Sequence, residues 1–214
     1  MTTKINNEKL RFWINWTLLS LAIIPLSYII SLIVVLMIHG AFGFNQMEGG
    51  TYLSQTVMQI AGGAVIGFGT GLYQKSLLKK VFDVSWSWVY TLIIGFAFTE
   101  LVVCIILWRL GINRYELRFI ELNPLPEVLI FACAGLVIGL LQWTILRKYF
   151  SGSTVWVLAN TLGWGVCVLT TYFFGLINRN VLVFGFIPGA LLYGAITGAT
   201  VMWISRNIHR LLND

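Results

Sequence analysis

The stretch Gly135–Gly163, GLVIGLLQWTILRKYFSGSTVWVLANTLG, decides the fold, because the chain carries it twice. Moved back 68 residues it lies without a gap on Gly67–Gly95, GFGTGLYQKSLLKKVFDVSWSWVYTLIIG. Gly67/Gly135, Gly71/Gly139, Gln74/Gln142, Leu78/Leu146, Lys80/Lys148, Phe82/Phe150, Ser85/Ser153, Trp88/Trp156 and Gly95/Gly163 coincide. Each copy reads as an apolar helix with glycines four apart, then Gln, basic residues, a tight turn, and Trp leading the next helix.

Around this unit the composition is that of a membrane protein. Of the 214 residues, 58% are hydrophobic and only 10% are charged, and apolar runs of 18 residues or more are read as transmembrane helices. The reading is an all-α integral membrane protein, a single domain over residues 1–214. Six spans are predicted at about 12–38, 51–77, 86–108, 127–146, 155–177 and 181–205. The first is too long for a signal-peptide core and has no small-residue cleavage site after it, so it reads as a retained helix. Pro25 lies mid-span and is expected to kink it, which membrane helices tolerate. Residues 39–50 read as a glycine-rich loop. The longer loop 110–126 centres on Tyr115-Glu116-Leu117-Arg118-Phe119, which alternates apolar and polar.

The net charge of +6 is explained by topology. With the N-terminus inside, ten Lys and Arg fall on inner segments (among them Lys9, Arg11, Lys79, Lys80, Arg147 and Lys148) and four on outer ones, Arg109, Arg114, Arg118 and Arg179. By the positive-inside rule both termini are cytoplasmic. Positive charge then serves orientation and anionic headgroups. Nucleic acid is not needed as a partner.

A third copy is legible more faintly. Ala190-x3-Gly194-x3-Gly198 followed by Arg206 matches Gly135-x3-Gly139 and Arg147, with Val201 where the glutamine stood. Trp16 follows the basic N-terminal tail as Trp88 and Trp156 follow theirs. Glycine-bearing helices therefore alternate with Trp-led helices, and three such pairs predict approximate threefold pseudo-symmetry. Residues four apart share a helix face, and small ones let backbones approach where lipid offers no drive for association. Gly63, Gly67 and Gly71 make one packing stripe, and Ala190, Gly194 and Gly198 another. A glycine-lined passage is the functional alternative, and packing is the commoner use.

Polar groups within the spans are the functional candidates. Glu100 is the only acid deep in one, roughly 18 Å from Trp88 by helical rise. A carboxyl there is costly unless protonated or paired, which makes it a site candidate. Gln55 and Gln59 share the glycine face of the second span, and Gln59 falls near the height of Glu100, so the three define a candidate polar pocket. Gln74, Gln142 and Asn160 lie nearer the inner surface, where the bland reading is that amides tie helices together. Trp86, Trp88, Trp108, Trp156 and Trp203 fall near span ends and read as interfacial anchors.

Enzyme signatures are largely missing. The two histidines, His39 and His209, fall on opposite sides, and no HExxH or GxSxG occurs. Cys104, Cys133 and Cys167 lie within spans without metal-like spacing, so no metal or cofactor is expected.

The run GLVIGLLQWTILRKYF…VWVLANTLGWG, with the later GALLYGAITGATVMW, resembles a group of uncharacterised bacterial membrane proteins common in cyanobacteria. The resemblance rests on the GxxxGxxQWxxLR segment, the W-led helix after it and the final GA-x-x-GAITG helix. It covers the second half directly and the first half through the repeat, where Lys75 stands in place of the pattern's Trp143. It implies a bacterial inner or plasma membrane location and carries no activity. Two function classes remain. One is a scaffold or accessory subunit in contact with lipid and with a membrane-protein partner or a second copy. The other is a small carrier or solute-binding subunit using Glu100 and Gln59.

Overall fold

In lipid a backbone must satisfy its own polar groups, which leaves a chain this apolar the helix as its natural element. The computed structural model describes residues 2–42, 52–110, 124–177 and 182–211, with side chains over 7–41, 54–109, 124–174 and 186–205. The described residues form six helices: α1 Thr2–Phe42, α2 Tyr52–Leu78, α3 Ser87–Leu110, α4 Leu125–Leu146, α5 Val155–Ile177 and α6 Leu182–Leu211. The stretch Tyr115–Phe119, most of the two longer loops and the side chains of Arg206 and Arg210 lie outside the described residues.

Two boundaries differ from the reading of the sequence. The N-terminal polar tail and residues 39–42, taken as loop, are part of α1, and α6 continues past Ser205 to Leu211. Helix continues because nothing in those flanks breaks it. α1 is also assigned as helix through Pro25, and α6 through Pro188.

Five helices are long and apolar enough to cross a membrane. Among the described residues α2 is the one that falls short by composition, being rich in glycines and amides. It packs between α1 and α3, and its small residues face protein on both sides. A Cβ on Gly67 would stand 2.6 Å from the Leu92 carbonyl oxygen of α3, and one on Gly71 would stand 3.0 Å from Val89 Cα. Toward α1, Gly62 has Ser31 Oγ 3.0 Å from its Cβ position, and Gly69 lies against Ser27.

Packing runs in chain order from α1 to α6, and α6 returns to α1, so the helices form a closed ring. Leu18, Ile33, Leu36, Tyr90, Ile94, Phe98, Leu140, Leu158 and Leu162 are exposed on its outside. So much apolar surface suits lipid rather than water. The α2–α3 and α4–α5 turns are hydrogen-bonded alike. Phe82 N donates to Leu78 O and Trp88 N to Ser85 O, as Phe150 N does to Leu146 O and Trp156 N to Ser153 O. Gly152, with φ +77°, supplies the left-handed residue the second turn uses.

Candidate functional site

The repeated residues converge on one end of the ring's interior. Trp16, Trp88, Trp156, Gln74, Gln142 and Asn160 are all fully buried there. Trp88 and Trp156 are the second residues of α3 and α5, and Trp16 lies about four turns into α1. Trp88 Nε1 donates to Gln74 Oε1 at 3.0 Å, and Trp156 Nε1 donates to Gln142 Oε1 at 2.8 Å. Trp16 Nε1 donates to Thr197 Oγ1 at 3.0 Å.

That third bond corrects the register read for α6. Thr197, not Val201, occupies the place of the glutamines. Gly194, three residues before Thr197, meets Thr17 Cα at 3.0 Å from its Cβ position, as Gly139, three before Gln142, meets Val157 Cα at 2.9 Å. Aligning on Arg206 set the copy one turn off. Gly198 serves a different purpose, with Trp16 Cδ1 2.9 Å from its Cβ position. Gly135 packs on the Asn160 backbone, whose carbonyl carbon lies 2.8 Å from its Cβ position, and Ala190 is fully buried in α6.

The assignment of Trp88 and Trp156 as interfacial anchors is also corrected. An anchor must present its ring to the headgroups, whereas both rings are turned inward and have no exposed surface. Trp86, Trp108 and Trp203 remain about half exposed. Lys75, which stands where α4 has Trp143, holds its Nζ 3.6 Å from the centre of the Trp86 ring, a cation–π contact.

The glutamines are joined to one another and to α5 and α6. Gln74 Nε2 donates to Tyr193 Oη at 3.0 Å, and Gln142 Nε2 reaches Gln74 Oε1 at 3.4 Å. Tyr193 Oη donates to Asn160 Oδ1 at 3.2 Å, and Asn160 Nδ2 donates to the Trp156 carbonyl at 3.1 Å. Ser20 Oγ and Tyr73 Oη share a further bond at 2.8 Å. Burial of these groups is tolerated because they satisfy each other. One turn farther from the Trp end, Thr70 Oγ1 and Trp164 Nε1 are buried without a hydrogen-bond partner.

Below the amide layer the centre is apolar. The Trp16 and Trp156 rings meet edge-on at 6.3 Å, the Trp88 and Trp156 centroids lie 5.7 Å apart, and Phe82 meets Phe150 edge-on at 5.1 Å. The void between Leu78, Leu146, Val201, Ile204 and the rings of Phe82, Trp88, Phe150 and Trp156 is about 10 Å³, at the lower limit for one water molecule. The centre of the ring is closely packed at this level.

The other candidate lies elsewhere. Glu100 is 8% exposed on α3, and its Cγ is 3.1 Å from the Cβ position of Gly63. Gly63 thus gives the carboxyl-bearing chain room against α2. Gln59 and Gln55 are half-buried on α2, one and two turns beyond Gly63. Glu100 is not left without a partner. Reasoning from the sequence missed Tyr193, Thr197, Ser20 and Tyr73. Tyr193 stands at no recognisable repeat position, and only the closing of the ring carries it to Gln74. Gly189, which would place a Cβ against the Cys167 backbone, was also outside the stripe that was read.

Among the described residues no three His, Cys, Asp or Glu lie together as a metal-binding group. Comparison with family models, with curated proteins and with solved structures yields no match.

Proposed function

We propose that this chain is a non-enzymatic multi-pass membrane protein that acts as a scaffold or accessory subunit. In this reading six helices span a bacterial inner or plasma membrane as three like pairs about an approximate threefold axis. Both termini are cytoplasmic. The observation that carries the reading is the amide–indole layer. Its glutamines are engaged by neighbouring indoles, a tyrosine and each other, and the aromatic side chains beneath them pack closely. Groups so engaged hold helices together and are not free to take a solute. The threefold reading is supported by equivalent Trp bonds to Gln74, Gln142 and Thr197. The partner of such a subunit is another membrane protein or a second copy, across the apolar outer face.

Both chain ends are argued to lie on one side because α1 and α6 run antiparallel, with Gly198 against Trp16 and Gly194 against Ser20. The turns carrying Lys79, Lys80, Arg147 and Lys148 adjoin the same buried Trp cluster. In a background without native cysteines, a thiol introduced at Asn123 is expected to react with an impermeant reagent added from outside. One at Ser151 is expected to be protected until the membrane is opened. The reverse pattern inverts the topology.

A carrier is the second reading, favoured by the buried carboxylate Glu100 beside Gly63. Glu100→Gln separates the two. For a scaffold the amide keeps the shape and most of the hydrogen bonding, so stability should change by about 1 kcal/mol or less. Proteoliposomes of the wild type should then show no proton or cation flux above empty vesicles. Flux in the wild type that vanishes in a folded Glu100→Gln protein would establish the carrier and end the scaffold reading.

A further inference from the structure

Two of the junctions between a glycine-bearing helix and a Trp-led helix are closed by a turn, and the third is not. The turns after α2 and α4 fold Phe82 and Phe150 over the Trp cluster. α6 and α1 are the two chain ends, so no turn joins them. Ser205 stands eight residues after Thr197, as Phe82 and Phe150 stand eight after their glutamines, and it has no ring to contribute. A recess of about 650 Å³ remains there between α1, the end of α2 and α6. That is the size of a small-molecule site.

Its lining is amphipathic. Among the described residues that line it, Phe12, Val81 and Met202 supply apolar wall, while Lys9, Arg11 and Lys80 bring three cations against one acid, Glu8. Among these the excess is two positive charges (three minus one). All three cations lie within the first turns of α1 or just past α2, at the ends of those helices that carry the chain's basic clusters. Arg and Lys in that setting recognise phosphate by charge-assisted hydrogen bonds. The neighbouring apolar wall suits an acyl chain, which a free phosphate does not have.

We propose that this recess binds one anionic phospholipid, its phosphate held by Arg11, Lys80 and Lys9 and its acyl chain lying on Phe12, Val81 and Met202. The site is separate from Glu100 and from the amide–indole layer, and it stands whether the chain is a scaffold or a carrier.

The test is native mass spectrometry of the delipidated full chain, titrated with phosphatidylglycerol and, separately, phosphatidylcholine. The wild type is expected to retain one phosphatidylglycerol in preference to phosphatidylcholine. Arg11→Gln/Lys80→Gln should lose about tenfold of that preference, with phosphatidylcholine binding unchanged. Lys148→Gln, which removes a cation from the same end outside the recess, should keep it. Lys80→Gln alone changes an exposed turn residue and serves if the double variant does not fold. An equal loss in Lys148→Gln would reduce the effect to general surface charge and overturn the site. Unchanged preference in a folded recess variant would also overturn it. Displacement of phosphatidylglycerol by millimolar inorganic phosphate would reassign the recess to free phosphate and refute the lipid.

Discussion

Gly135→Leu is expected to give no folded protein, and Gly135→Ala to give protein of clearly lower melting temperature. The reason is what stands opposite. A Cβ at Gly135 meets the Asn160 carbonyl and comes within 3.0 Å of Thr161 Cα, all of it α5 backbone. A side chain in the way can change rotamer, but backbone inside a packed helix pair can only move with its helix. Overpacking of this kind costs about 1–3 kcal/mol for small additions and more for large ones, against total stabilities of about 5–15 kcal/mol. Gly67→Ala should behave alike, since the Leu92 carbonyl carbon stands 2.8 Å from its Cβ position. Two glycines act as controls. Gly40 has nothing within 4 Å, and Gly165 meets Ala132 Cβ at an ordinary 3.5 Å. Alanine at either should be tolerated, and at Gly40 should favour the helix slightly. Melting curves in detergent for the four alanine variants decide the matter. A uniform response across them would remove the close-packing argument.

The second large effect is expected at Gln74. Its side chain accepts from Trp88, donates to Tyr193 and receives the longer contact from Gln142. Gln74→Leu removes all three at once and strands the Trp88 N–H in the core. An orphaned buried donor costs about 1–3 kcal/mol, and membrane hydrogen bonds average somewhat less, about 0.6–2 kcal/mol. The loss should therefore be about 2 kcal/mol or more, and larger than for Gln142→Leu, which has fewer bonds to lose. Trp88→Phe in the Gln74→Leu background should cost less than the same change in the wild type, because its donor is already unpartnered. A double-mutant cycle should give a coupling of about 1 kcal/mol. Strict additivity would mean that the amide and the indole do not stabilise each other.

The sequence by itself determined whatever depends on local pattern. Runs of apolar residues long enough for a bilayer place the helices, because lipid leaves a backbone no other way to satisfy its polar groups. The repeat of Gly67–Gly95 at Gly135–Gly163, 68 residues on, foretold that Gln74 and Gln142 share an environment, and each does accept a tryptophan 14 residues on. Glycine spacing marked the α2–α3 and α4–α5 contacts, since a missing side chain at every fourth residue has few other uses in a membrane helix.

What the pattern does not contain is which way a residue turns once its helix has neighbours. Trp86 and Trp88 stand two residues apart at one span end, yet one is half exposed and the other fully buried. Hydropathy assigns both to the interface, and only the packing of α3 tells them apart. Thr197 could not be distinguished from Val201, because a threonine one turn away satisfies an indole as a glutamine does and leaves no matching letter. α2 has too many glycines and amides to meet the apolarity expected of a span, and only the structure shows those glycines against α3 on one side and α1 on the other. Tyr193 reaches Gln74 across 119 residues of chain, and the return of α6 to α1 opens the recess beside Arg11 and Lys80. Both arise from ring closure. Closure joins residues at the two ends of the chain, and a contact made at that distance leaves no periodicity in the sequence between them.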